Sequence, residues 1–288
     1  VAAEEAVGRW IEESPYAASL GIRARELAGD RVVLALPFRE TNANPGKALH
    51  GGCAASLAAA GGQAITRLRL GEDSGPWHTA ALQVAYLAAA IDQDVVATAT
   101  LLREGKQLCF VAVAVETSDG KPIAQASCVV RARQGAPGVL LHRSRGDDGA
   151  ADPGRMGPGV ERLPFVAGRG IRVEHMTGGR SRLVMPFSPA NADATGGVHE
   201  GALLALLDTT GAMAAWAETG PGPYKASTPG LQAQILAPVP KADLVAYGRM
   251  VQRDGELLWS DAEIARADDA RVVARGTVVY RILTGSSG

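Results

Sequence analysis

The sequence predicts an α+β protein built from two tandem copies of one domain, each a curled antiparallel sheet wrapped around a central helix. Three observations predict it. Sliding the chain against itself by 149 residues gives 14 identities in the 38 ungapped pairs from Pro15/Pro164 to Gly52/Gly201, where chance composition would give roughly one in fifteen. Each copy holds a proline-free run dominated by Ala and Leu, and each follows it with apolar stretches punctuated by hairpin signals. A repeat of this length is a duplicated domain, since solenoid units are far shorter.

The elements follow in order. Glu4 to Glu13, with Val7, Trp10 and Ile11 at helical spacing before Pro15, predicts a packing helix. Two short strands, about 21–28 and 31–37, lead into a loop rich in Asn, Pro and Gly. His50 to Leu70 is a helix by propensity. It carries so few polar residues for water that it is expected inside the sheet rather than on the surface. Val95 to Leu102 and Leu108 to Thr117 are strands joined by Arg103-Glu104-Gly105-Lys106, and Ser118-Asp119-Gly120-Lys121 turns the chain into Pro122 to Ala132. The second copy repeats this, its helix running from about His199 to Glu218 and stopping at Gly220-Pro221-Gly222-Pro223. The expected domains are 1–134 and 161–284, separated by a linker over 135–160 and followed by a flexible tail at 285–288.

Composition excludes several classes. At 288 residues, 47% hydrophobic and 20% charged, the chain is neither disordered nor a disulfide-stapled peptide. A formal net charge of -1 gives no basic footprint for nucleic acid and no polybasic reason to bind a membrane. No apolar run approaches the roughly 20 residues that span a bilayer, so a cytoplasmic location is expected. Cys53, Cys109 and Cys128 are odd in number, lack C-x-x-C spacing and lie in apolar runs, so they read as buried thiols. No His, Cys and carboxylate cluster has metal-ligand spacing, and no cofactor is expected.

One asymmetry between the copies stands out. Nine residues after His199 is Asp208, a charge in an otherwise apolar helix, while nine after His50 is Ala59. A buried carboxylate is costly unless it is hydrogen-bonded or functional. A helix start, by contrast, offers free N–H groups and the positive end of the dipole.

The run Asn44-Pro45-Gly46-Lys47-Ala48-Leu49-His50-Gly51-Gly52 resembles the signature of hotdog-fold acyl-CoA thioesterases of the phenylacetate-degradation (PaaI-like) type, and so do Ser14-Pro15-Tyr16, Gly105-Lys106 and Gly120-Lys121-Pro122-Ile123-Ala124-Gln125. The resemblance implies hydrolysis of acyl-CoA at active sites shared between two domains. A residue nine positions into a helix lies roughly 13 Å from its start, so Asp208 cannot serve its own helix tip. The resemblance therefore implies one composite site joining Asp208 and Thr228 to Asn44, His50 and Gly51. Asp208 is general base there or, alternatively, nucleophile. Thr228 positions the nucleophile, Asn44 and His50 orient the loop and thioester, and Gly51 binds the oxyanion. Lys106 and Arg103 would meet the phosphates of CoA, which enters only as part of the substrate. The mirror site has Ala59 and Thr79 facing Asp193, His199 and Glu200, and reads as a relic.

The family analogy also implies a homodimer of such double units. Two other functions stay open. One is a catalytically silent acyl-CoA-binding module. The other is an enoyl-thioester hydratase, whose motif needs an Asp five residues before the His, where this chain has Pro45 and Ala194.

Overall fold

The computed structural model describes residues 2–136, 138–147 and 149–285. Residues 286–288 of the expected tail, and positions 137 and 148 of the expected linker, lie outside the described residues. The chain opens with α1 (Ala2–Glu13), which buries Val7 and Ile11. A short helix that the sequence reading did not include, α2 (Pro15–Leu20), follows. Its signals are local: proline at the first helical position, and Gly21 at φ 86° to end it, with the Gly21 N–H returning to the carbonyls of Ala17 and Ala18.

Next come β1 (Arg23–Leu27), β2 (Arg31–Leu36), the long α3 (Gly51–Leu70), β3 (Trp77–Tyr86), β4 (Val95–Glu104), β5 (Leu108–Thr117) and β6 (Pro122–Ala132). The second half has α4 (Gly157–Val160), α5 (Pro164–Gly168), β7 (Arg172–Thr177), β8 (Arg180–Met185), α6 (Glu200–Thr219), β9 (Lys225–Ile235), β10 (Leu244–Asp254), β11 (Leu257–Arg266) and β12 (Val272–Leu283). The end of the expected linker is thus ordered, since α4 packs on β7. A Gly157 Cβ would stand 3.2 Å from Val173 Cγ1.

The twelve strands form one continuous antiparallel sheet in the order β1-β2-β4-β5-β6-β3-β9-β12-β11-β10-β8-β7. Each half contributes six strands in the same order, and the halves meet at β3 and β9. At that seam Gln83 pairs with Gln232, Leu82 with Ala233 and Val84 with Leu231. Adding 149 to Leu82 gives Leu231, and subtracting 149 from Ala233 gives Val84. Exchanging the copies therefore maps the seam onto itself, and a pseudo-twofold axis passes through the Gln83–Gln232 pair.

On the inner face α3 and α6 pack against each other, running in opposite directions. A Cβ on Gly52 would fall 2.6 Å from Ala205 Cβ, and one on Gly201 would fall 2.5 Å from Ser56 Oγ. Only glycine lets the two backbones come this close. Both helices are buried along nearly their whole length, which is why their sequences lack a polar face. The halves are also interlocked by crossed ring stacks. Tyr16 of the first half lies on His199 of the second at 4.7 Å between centroids, and its repeat counterpart Phe165 lies on His50 at 4.0 Å.

Candidate active site

The start of α3 is set by its cap. His50 has extended backbone, and its Nδ1 accepts the Gly52 N–H at 2.9 Å, while its carbonyl accepts the Cys53 N–H. Among the described residues no group accepts the Gly51 N–H. The helix therefore begins with one free donor at the positive end of its dipole.

Asp208, from the middle of α6, stands over this tip. It is 4% exposed. A Cβ on Gly51 would lie 2.7 Å from Asp208 Oδ2 and 3.4 Å from the Tyr86 hydroxyl. The absent side chain at position 51 is thus what admits the carboxylate. Asp208 Oδ1 accepts a hydrogen bond from Thr228 Oγ1 at 3.2 Å, and Oδ2 has no hydrogen-bond donor among the described residues. Burial pushes the Asp208 carboxyl up to about 6, and the Thr228 bond opposes this only in part.

Tyr86 completes the site, its hydroxyl donating to the Gly51 carbonyl at 3.0 Å. Sequence reasoning missed it. Its signal was available, because the position 149 residues later is Ile235, so Tyr86 breaks the repeat as Asp208 does.

The structure brings Asp208, Thr228 and Gly51 together. His50 plays a different part from the one expected. Its ring is buried, stacked on Phe165, and spent on Gly52 through Nδ1 and on Thr209 Oγ1, 3.4 Å away, through Nε2. Thr209 gives its own proton to the Ala205 carbonyl, so Nε2 carries the ring hydrogen. Burial lowers the His50 pKa to about 4, leaving the ring neutral. With both nitrogens occupied, His50 fixes the helix tip and has no free atom with which to orient a thioester, contrary to the sequence expectation. Asn44 is half-buried in the preceding turn, where its N–H donates to the Ala48 carbonyl and its carbonyl accepts from Lys47. Its amide side chain makes no hydrogen bond to a described residue.

Arg103 and Lys106 are not brought to this centre. Glu104 beside them pairs with Arg69, in the last turn of α3, at 2.6 Å, so the β4–β5 hairpin sits at the far end of a helix roughly 27 Å long from Gly51 to Arg69. With Phe110 and Arg131 they line a separate open cavity of about 650 Å³.

The mirror position is filled differently. Glu200, the first residue of α6, reaches β3. Its Oε1 accepts the Thr79 N–H at 2.8 Å and its Oε2 accepts the Thr79 hydroxyl at 2.6 Å. Gln63 adds a hydrogen bond, and the Arg67 guanidinium lies close enough to favour the charged form. Burial nevertheless raises the Glu200 pKa. Asp193, the counterpart of Asn44, spends its carboxylate inside its own turn on the N–H groups of Thr195 and Gly197. The three cysteines are free and buried. Among the described residues no three His, Cys, Asp or Glu side chains gather as metal ligands, and no helix is long and apolar enough to cross a membrane.

Residues 6–131 match a family model described as a domain of unknown function, DUF4442. No curated protein matches the chain. Among solved structures the chain is similar to a tesB protein of Mycobacterium avium subspecies paratuberculosis (TM-score 0.67, 14% identity, 92% of this chain and 97% of that one). It is also similar to an acyl-CoA thioesterase II, TesB2, of Mycobacterium marinum (TM-score 0.66, 13% identity, 96% and 98%). A hot dog fold protein of unknown function from Alicyclobacillus acidocaldarius is a third (TM-score 0.65, 15% identity, 96% and 98%). At such identities the likeness establishes the fold, which is two hotdog domains in tandem.

Proposed function

We propose that the chain hydrolyses acyl-CoA thioesters, as PaaI-like enzymes do, at the single composite site formed by Asp208 and Thr228 of the second half and Gly51 of the first. The observation that carries this reading is the placement of a nearly unpartnered carboxylate against a bare helix tip contributed by the other copy. The names carried by two structural neighbours, a tesB protein and an acyl-CoA thioesterase II, support it.

The chemistry follows from the groups present. With the thioester carbonyl oxygen on the Gly51 N–H, charge developing on that oxygen meets a fixed donor at the helix dipole's positive end. Asp208 takes a proton from a water held with the help of Thr228, and the water oxygen bonds to the carbonyl carbon. Collapse of the tetrahedral intermediate breaks the C–S bond, and the proton on Asp208 passes to the departing CoA sulfur. The free acid and CoA are the products. A carboxyl displaced to about 6 is ionised at neutral pH yet basic enough to assist. Tyr86 holds the Gly51 peptide in place.

The test is thiol release from a panel of acyl-CoAs. Asp208→Asn is expected to lower the rate at least about 100-fold, with acyl-CoA still bound. Equal rates in the two proteins would remove Asp208 from the chemistry. Binding without turnover by the native protein would instead favour the silent acyl-CoA-binding module.

A further inference from the structure

The two composite seats each contain one carboxylate and one strand threonine, but the carboxylates are rooted on different helices. In the first seat Asp208, from mid-helix, bonds Thr228 across an empty Gly51. In the second, position 59 is the empty one, and the acid comes from the helix tip as Glu200 to bond Thr79, the repeat counterpart of Thr228. Ala59 and Glu200 together are therefore the complement of Asp208 and Gly51.

The seats also differ in how fully the acid is answered. Asp208 has one hydroxyl. Glu200 has a backbone N–H, a hydroxyl, an amide from Gln63 and the charge of Arg67. That guanidinium is itself held between the rings of Trp10 and Trp77, at 4.0 and 3.8 Å from their centroids, and is paired with Glu72 at 3.2 Å. The Thr79 N–H and hydroxyl hold both oxygens of one carboxylate, and the Gln63 side chain adds a further bond to it; this donor set, with a fixed cation nearby, is a built receptor for a carboxylate.

We infer that the second composite seat is a carboxylate-binding site whose ligand is the chain's own Glu200. It is a site holding an internal occupant rather than a decayed one, and it leaves the protein with one seat, that of Asp208, whose acid is short of donors. The inference rests on reading Asp208 as the acid of the first seat, but its first test, read by melting temperature, does not depend on turnover.

Glu200→Gly empties the receptor and reproduces the glycine found at the other helix tip. Its melting temperature is expected to fall several degrees below the native value and to rise again when sodium acetate replaces sodium chloride at equal ionic strength. The native protein, with the seat filled, should show no acetate-specific rise, and Thr79→Val in the Glu200→Gly background should abolish it. An acetate effect no larger than that of chloride would overturn the proposal. Should Glu200→Gly not fold, Glu200→Gln decides: thiol release within twofold of native agrees with a closed seat, and a loss comparable to that of Asp208→Asn would make Glu200 a working acid and overturn it. A native protein that releases no thiol would count against the hydrolase reading alone, and the acetate comparison would still judge the seat.

Discussion

A carboxylate inside a protein is tolerable to the extent that donors answer its charge, and Asp208 has only Thr228 to do so. Its folded pKa of about 6 lies above the ordinary 3.8, so the folded state binds the proton more tightly than the unfolded chain. The stability tied to the protonated form is complete below pH 3.8 and is lost as pH rises through 6. By then the ionised side chain costs about 3 kcal/mol. Asp208→Asn should therefore melt higher than the native protein at pH 7.5 and converge with it near pH 4, while losing activity. A mutant no more stable at pH 7.5 would mean that the charge is better compensated than its single bond suggests. Thr228→Val removes that bond, and the midpoint of the pH–rate profile should move upward from about 6. An unchanged midpoint would show that Thr228 does not set the acidity of its neighbour.

At the scale of elements, the site exists because two helices touch backbone to backbone. Gly52→Ala would drive a methyl to 2.6 Å from Ala205 Cβ and 2.8 Å from Ala205 Cα. Overpacking of this kind costs about 1–3 kcal/mol, and it would also part Asp208 from Gly51. Chemical denaturation and thiol release should therefore fall together in this variant, and loss of one without the other would separate helix packing from the chemistry. The cap histidines behave differently. His199→Ala removes the acceptor for the Gly201 N–H and the stack on Tyr16, at a cost of about 1–2 kcal/mol for the cap. It belongs to the closed seat, so turnover by the folded protein should stay within about tenfold of native, or about 1.4 kcal/mol of barrier. A larger drop would place His199 in the working centre.

Taken whole, the molecule is two copies stitched at β3 and β9. The first half alone, residues 1–136, would expose the β3 edge and the glycine face of α3. Because the seam register is its own mirror, a second copy of that half can supply the missing edge, and sedimentation should show a dimer. A folded monomer would mean that the seam is dispensable. Much of this was legible in the chain, because a 149-residue offset exposes both the fold and every place where the copies disagree. Asp208 against Ala59 marked the site through that contrast. Tyr86 against Ile235 carried the same signal, but its meaning depends on which way a strand-end ring points across the seam. Glu200 was visible as a charge, but its partner Thr79 lies 121 residues away in sequence, and spacing names no donors. The distance of Lys106 and Arg103 from Gly51 could not be read either, since it depends on which end of α3 the β4–β5 hairpin overhangs.

The covalent joining of the copies has an effect that no single contact has. In a pair of identical chains related by a true axis, any change at a helix tip is made twice, and both catalytic centres inherit it. Here each centre draws its helix tip from one copy and its strand threonine from the other, within one polypeptide, so a glutamate can stand at position 200 while Gly51 stays bare. In a single chain one seat can be filled by its own glutamate while the other keeps a bare helix tip beside its carboxylate.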